Sequence, residues 1–538
     1  MPRRNAIRPL LCAALFLACV KPFALLSQDA AAQARPEPFY FIREYRVSGS
    51  TLLSSLDVSK AVYPYLGPGR SAEDIEKARQ ALEKTFHERG YQAVSVTIPP
   101  QTGRRGIIRM EVVEARVGRL HVNGAKWHLP SSIRNRAPSL APGTPPNFEN
   151  IQRDIVALNK SADMKVTPRL TPSEDPRFLD IELDVEDKAP FHGSIELNNR
   201  YSPNTVPLRV NGALSYANLW LLGHTLGLSF QVAPERIEDG EVYSGYYTLP
   251  VGENSSLTLS GMKQSSDINT LGDSAVVGQG VMAGLRLNHD LPMKDGFMHS
   301  LSWGFDYKDF KQNTMLGDTG AEIRAPVRYW PFSLTYNAFA SRRSSFTSGS
   351  LGLNWAFRGT SERQEFDDKR YNADGGFIYL RGELTHLHDL PGGWQAFIKG
   401  AGQITGDPLI NNEQFAAGGQ GSVRGYLASA ALGDKGVTGT LEFRTPSLLG
   451  PSRGKNEDGT PSSVEWRLHA FADAGWLSIN DSLPEQRQQW SLASLGVGSE
   501  FRLWDHWHAV LDAGFPLLDM EPTRRGDLML SFRLWSEF

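Results

Sequence analysis

The chain has 538 residues and a formal charge of −3, too near neutral to give the basic field that nucleic-acid binding needs. Hydrophobic residues make up 40% and mean hydropathy is −0.34. Those averages suit a soluble protein, but they do not exclude a membrane β-barrel, in which apolar and polar residues alternate. Aromatic content of 10% with 51 glycines and 12 tryptophans favours a large β structure over a helical enzyme.

The chain opens with Arg3, Arg4 and Arg8 before an apolar run, Leu10–Val20, and then the small-x-small triplet Ala32-Gln33-Ala34. The run is about the length of a secretory leader core and too short to span a bilayer. A leader over residues 1–34 is therefore expected. Its removal takes away a net +3, so the rest carries −6, and it takes Cys12 and Cys19, the two cysteines of the sequence. The mature chain then has no disulfide and no thiolate metal site. No later run reaches 18 apolar residues, so a membrane span would have to be a barrel.

Residues 39–115 read as a small α+β module. A strand around Tyr45 and Val47 ends at Gly49. A short helical stretch follows near Leu56–Leu66. Ser71, with Asp74 three residues on, caps a second helix whose Ile75, Ala78, Leu82 and Phe86 recur at helical spacing. Gly90 ends it, and strands follow at Ala93–Ile98 and Ile107–Val113. The order β-α-α-β-β repeats over 116–188, with a strand at Val117–Val122, helices at Ser131–Leu140 and Phe148–Asn159, and strands at Met164–Leu170 and Phe178–Val185.

From Phe191 to Phe538 helical periodicity gives way to alternation. Ile378, Leu380, Gly382 and Leu384 would share one strand face, opposite Tyr379, Arg381, Glu383 and Thr385. Leu528, Leu530, Phe532 and Leu534 do the same near the end. About 16 such segments fit this region at roughly 22 residues each, the allowance of a transmembrane barrel with long outer loops. The fold class expected is thus an all-β transmembrane barrel of about 16 antiparallel strands, preceded by two α+β modules.

Within this region Gly418–Gly433 holds five glycines around Arg424 and Tyr426. A phosphate cradle would need a helix after the glycines and a Lys-Ser/Thr pair, and neither follows. Two readings stay open: an exposed hairpin tip, or a loop folded into a cavity where Arg424 meets a carboxylate. Gly450-Pro451-Ser452-Arg453-Gly454 fits a nucleophile-elbow pattern by chance, since it lies in turn-rich sequence with no following helix. His386, His388 and Asp389 read as a strand-end turn, and Trp504, His506, Trp507 and His508 as an interfacial girdle. No catalytic set, metal site or cofactor site is expected.

Ser422-Val423-Arg424-Gly425-Tyr426 resembles the V-R-G-Y/F loop motif of the BamA-like superfamily of outer-membrane transporters. Phe471-Ala472-Asp473-Ala474-Gly475 is similar to its F-x-D-x-G strand motif. The modules at 39–115 and 116–188 resemble POTRA domains. Their number, with Asn218-Leu219 and Tyr246-Tyr247-Thr248-Leu249-Pro250, is similar to the two-partner secretion (TpsB, FhaC-like) branch. Phe532, Leu534 and terminal Phe538 resemble the barrel signal of outer-membrane proteins.

The resemblance implies a non-enzymatic pore in the bacterial outer membrane. Its periplasmic modules would recognise a secreted partner protein, which the barrel exports. It implies contact with outer-membrane lipid and lipopolysaccharide, and with the barrel assembly machinery during biogenesis. The alternative is a BamA-like insertase. It also implies a lumenal loop in which Arg424 pairs with Asp473, in the F-x-D-x-G motif; Asp512, in the later Asp512-Ala513-Gly514, is the rival. The plug helix that many relatives carry at the N-terminus has no counterpart between residue 34 and Phe39.

Overall fold

The computed structural model describes residues 39–538 apart from 103, 160, 162, 176, 253, 266–267, 272–273, 278, 295, 317–320, 360–361, 451–453, 456–460, 463 and 505. The predicted leader, with Cys12 and Cys19, and Ser452 lie outside the described residues. The chain divides into two compact units. One takes in the residues up to Val122 with Arg134–Lys160 and Thr167–Asp184. The other takes in Asn123–Ile133, Ser161–Val166 and Val185–Phe538.

In the first unit, Ile107–Glu114 is the central strand of a three-stranded sheet, parallel to Glu44–Ser48 and antiparallel to Val94–Thr97. Helices Ser55–Val62 and Ala72–Glu88 cover it. The longer helix starts where Ser71 accepts from the Asp74 amide and Asp74 accepts from the Ser71 amide, a reciprocal cap. Ala78, Leu82 and Phe86 then bury one stripe against Met110 and Ile108. Gly90 stops the helix at φ +88°, a conformation open to glycine. A second sheet has the order Arg116–Asn123, Phe178–Asp187, Met164–Pro172, with helix Phe148–Leu158 capped by Asn147. The single helix expected over 131–140 is instead Pro130–Asn135 and a separate 3-10 turn, Pro138–Leu140. Pro138 has no amide to continue the ladder and disfavours helical backbone at Ala137.

In the second unit sixteen strands close into an antiparallel barrel, numbered here as staves. They are β1 Phe191–Asn198, β2 Arg209–Leu219, β3 His224–Val232, β4 Glu241–Pro250, β5 Ser255–Gln264 and β6 Gly280–Asp290. Next come β7 Phe297–Leu316, β8 Phe332–Arg342, β9 Ser345–Ala356, β10 Phe377–Asp389 and β11 Gln395–Thr405. The last five are β12 Lys435–Arg444, β13 Glu465–Ser478, β14 Gln489–Leu503, β15 Trp507–Pro516 and β16 Met529–Glu537. The first part of β7 pairs with β8, while its second part carries a hairpin partner, Ala321–Tyr329. Ile378, Leu380 and Leu384 of β10 stand exposed while Phe377 and Tyr379 are buried. Apolar side chains thus face out and the other face packs inward, the inverse of a soluble sheet and the pattern of a wall in lipid.

β16 closes on β1 with the register Arg533↔Asn198 to Glu537↔Ser194. Backbone bonds between Phe538 and Gly193 (2.9 and 3.0 Å) and a bond from the Phe532 amide to Asn199 Oδ1 (2.7 Å) extend that seam at both ends. The Phe538 ring lies over Gly193, where a Cβ would strike it, and 6.0 Å from Phe191. The connection from β11 to β12, residues 406–434, folds back against the inner wall. Its short hairpin Phe415–Ala417/Ala431–Gly433, with Val423 and Tyr426, packs on Leu477 of β13 and Leu492 of β14.

Candidate functional site: the arginine loop against the barrel wall

Alternation along β13 sends Leu468, Ala470 and Ala474 outward and His469, Phe471, Asp473 and Leu477 inward. Three inward positions receive the loop, each differently. Phe471 offers its ring face to the Arg424 guanidinium, 3.5 Å from its centroid. Asp473 accepts from Arg424 Nε (2.8 Å), Nη2 (3.0 Å) and the Arg424 backbone amide (3.0 Å). Gly475 leaves room for Val423: a Cβ there would sit 3.2 Å from Val423 Cγ2. The F-x-D-x-G motif is therefore a seat for the residues Val423-Arg424.

The remaining guanidinium nitrogen, Nη1, donates to Glu442 Oε2 on β12 at 2.6 Å. Glu442 also accepts from Arg444 (2.8 Å), which reaches on to Glu500 (3.2 Å). Arg424 is 8% exposed, Asp473 3% and Glu442 4%. One buried cation thus faces two buried carboxylates, with Arg444 supplying the balancing charge. A planar fork with both edges satisfied is the geometry in which arginine outperforms lysine.

Around this centre, Ser422 Oγ accepts from the Gly418 amide (2.9 Å) and tightens the loop. The Tyr426 hydroxyl lies 3.0 Å from the Ala493 carbonyl and 2.9 Å from that of Leu518. Gly425 has φ +93°, and Gly514 of β15 approaches it so closely that a Cβ on Gly514 would lie 2.7 Å from the Gly425 amide nitrogen. Asp512 does not pair with Arg424. It accepts from His469 Nε2 (2.7 Å) and from Gln420 of the loop (3.1 Å). Beside the tip is a cavity of about 240 Å³, lined in part by Arg200, Arg381, Lys399 and Glu383.

Glu442 belongs to the site without having been read from the sequence, and Gly514, read there only as the end of the Asp512-Ala513-Gly514 pattern, belongs to it by its close approach to Gly425. The usable clue for Glu442 was alternation: Val437, Leu441 and Phe443 point outward, which turns Glu442 inward beside the loop it follows. Of the other sequence candidates, His386 bonds the Thr347 hydroxyl (2.8 Å) and stacks on His388. Trp504 and Trp507 stand exposed. Phe532 and Leu534 lie on β16, with Leu534 outward.

The family model described as haemolysin secretion/activation protein ShlB/FhaC/HecB matches residues 179–501. A ShlB-type POTRA domain model matches residues 40–115. The outer membrane transporter CdiB of Dickeya dadantii is 22% identical over 434 residues, covering 77% of this chain and 73% of that one. Among solved structures, CdiB from Escherichia coli superposes with a TM-score of 0.67 at 19% identity, over 95% of this chain and 93% of the other. BamA from Haemophilus ducreyi lacking POTRA domains 1–3 gives 0.56 at 14% identity, over 93% of this chain and all of that one (100%), a likeness of fold alone. With its barrel and its POTRA domain, the chain belongs to the haemolysin secretion/activation family of outer-membrane two-partner secretion transporters.

Proposed function

We propose that the chain exports a secreted partner protein through the barrel lumen, and that the Arg424 loop is the lock on that path. The observation that carries this is the burial of Arg424 between Asp473 and Glu442 on the inner wall. A buried ion pair adds little net stability over an apolar contact, yet it fixes one geometry and is costly to half-break. In this reading the seated loop, packed on Leu477 and Leu492 of the inner wall, moves before an extended chain passes.

The modules at 39–115 and 116–188 supply the recognition surface in this reading, the second being a further POTRA-like copy. Val94–Thr97 and Met164–Pro172 are edge strands of their sheets, templates on which an extended segment adds as a further strand. The outward apolar belt meets outer-membrane lipid and lipopolysaccharide, and the barrel assembly machinery inserts it. The barrel performs no catalysis. Deleting residues 39–188 tests the reading: it should abolish appearance of the cognate partner in the medium while the barrel still inserts. Export that survives the deletion refutes recognition by the modules. Crosslinks that trap barrel precursors rather than an exoprotein would favour the insertase.

A further inference from the structure

Eleven residues before Arg424 the same loop buries a second charge. Glu413 is 2% exposed. Its carboxylate accepts from Lys308 Nζ of β7 (2.5 Å), from the hydroxyl of Tyr329 on the hairpin strand beside β7 (2.5 Å), and from the hydroxyl of Tyr379 on β10 (2.8 Å). At the other end of the loop Asp434 is 0% exposed. It accepts from the Leu409 amide (3.1 Å), Gln414 Nε2 (2.9 Å), Arg370 Nη2 (3.1 Å) and the Asn480 amide (2.6 Å). Gln403 of β11 ties the two ends together, donating to the carbonyls of Glu413 (3.1 Å) and Asp434 (2.9 Å). Leu409 and Ile410 seal this base against Phe366, Tyr329 and Phe377.

Base and tip differ in how many groups hold them to the wall. When Arg424 leaves, Glu442 keeps Arg444, while the buried Asp473 loses the three bonds it accepts. When Glu413 leaves, Lys308 is stranded: among the described residues its carboxylate partner is Glu413 alone, and its side chain is 12% exposed. A buried charge without its partner is the costliest defect in such a network. The charge pairing of the tip runs through one side chain, Arg424, whereas the base is pinned through two carboxylates, Glu413 and Asp434, with Gln403 between them.

We propose that Glu413 and Asp434 are positioning residues for export: they hold the loop's base shut and set Arg424 between Asp473 and Glu442, so that the lock moves as a flap on a fixed hinge. This rests on the lock reading above. The test introduces Val423→Cys with Gly475→Cys, whose side chains would meet at the tip, into the full-length transporter. Export is measured with the disulfide oxidised and reduced, and the rate of disulfide formation is measured in intact outer membranes. Oxidation should stop export and reductant should restore it; unaltered export in the oxidised state would sink the lock reading itself.

In the Glu413→Ala and Asp434→Ala backgrounds the tip disulfide should form about tenfold more slowly, the scale of one buried group left unpaired. The barrel should remain folded, as read by its heat-modifiable migration. A wild-type rate in both backgrounds overturns the positioning role while leaving the lock intact. Where the alanine variants do not fold, Glu413→Gln keeps the shape and strands only the Lys308 charge. It should slow the disulfide, and adding Lys308→Met should restore the rate; an unchanged rate in Glu413→Gln overturns the proposal.

Discussion

Replacing Asp473 with alanine should unfasten the loop without disturbing the wall. The change removes three of the four hydrogen bonds that Arg424 makes to the two carboxylates and leaves Glu442, with the Phe471 ring still under the guanidinium. Breaking a buried pair by deleting one partner costs about 3–5 kcal/mol. The retained Glu442 bond puts Asp473→Ala at the lower end, about 3 kcal/mol, which multiplies the fraction of unfastened loops more than a hundredfold. Arg424→Ala leaves the buried Asp473 without its guanidinium partner and Glu442 with Arg444 alone among the described residues, so it belongs at the upper end. The assay is export of the cognate partner at matched barrel levels, together with single-channel recording in planar bilayers. Both single variants should lower export and lengthen open events. The double variant should be no worse than Arg424→Ala, because contacting residues are not additive. Wild-type export and wild-type recordings in all three would refute the lock, and effects that simply add would refute the pairing as the cause.

Three further outcomes follow from the geometry. Gly514→Ala places a Cβ 2.7 Å from the Gly425 amide, so the loop should be pushed off the wall at about 1–3 kcal/mol, with longer open events in the same recordings and no loss of barrel insertion. Ser194→Cys with Glu537→Cys joins facing positions of β1 and β16. Oxidising that pair should leave export unchanged if the passenger uses the lumen and abolish it if the seam opens sideways. On the periplasmic side, burial opposes ionisation of Asp187. The His128 ring and the amides of Lys126, Trp127 and His128 outweigh that and hold its carboxyl below the usual range. A carboxylate lowered on folding stabilises fully above its unfolded value of about 3.9 and loses that stabilisation as pH falls through the folded value. Protease resistance around 126–128 should therefore stay level from pH 7 to about 4.5 and drop only below about 4, and Asp187→Asn should remove the step.

Much of this was legible residue by residue, and the limits have physical causes. Period-two alternation shows strands whether the outer medium is water or lipid, so β10 and β16 could be read directly from Ile378–Leu384 and Leu530–Leu534. The loop announced itself because a single arginine among glycines has few uses once a helix is missing. The triplet Asp512-Ala513-Gly514 also drew notice, but for the wrong atom: its aspartate pairs with His469, while its glycine makes space for Gly425. Backbone approach leaves no mark in side-chain chemistry. Glu413 was invisible for a different reason. A carboxylate in a loop reads as solvated, and nothing local reveals a lysine 105 residues earlier. Glu442 was hidden in plain view, since polar inward residues are ordinary in any barrel.

The seam between β1 and β16 bears on how the molecule is made. Glu196 and Arg533, which meet across it at 2.8 Å, are 337 residues apart in sequence, whereas nearly every other pair of adjoining staves is a local hairpin. Contacts of such separation carry the largest loop-closure entropy and form late. Until they form, β1 and β16 are two unpaired edges with their amides and carbonyls exposed, the state most prone to join the wrong chain. The Phe538 ring on Gly193 and the Asn199 side chain on the Phe532 amide sit at the two ends of that last joint. They act as end stops for a ribbon that must be shielded during assembly and then close in a single register.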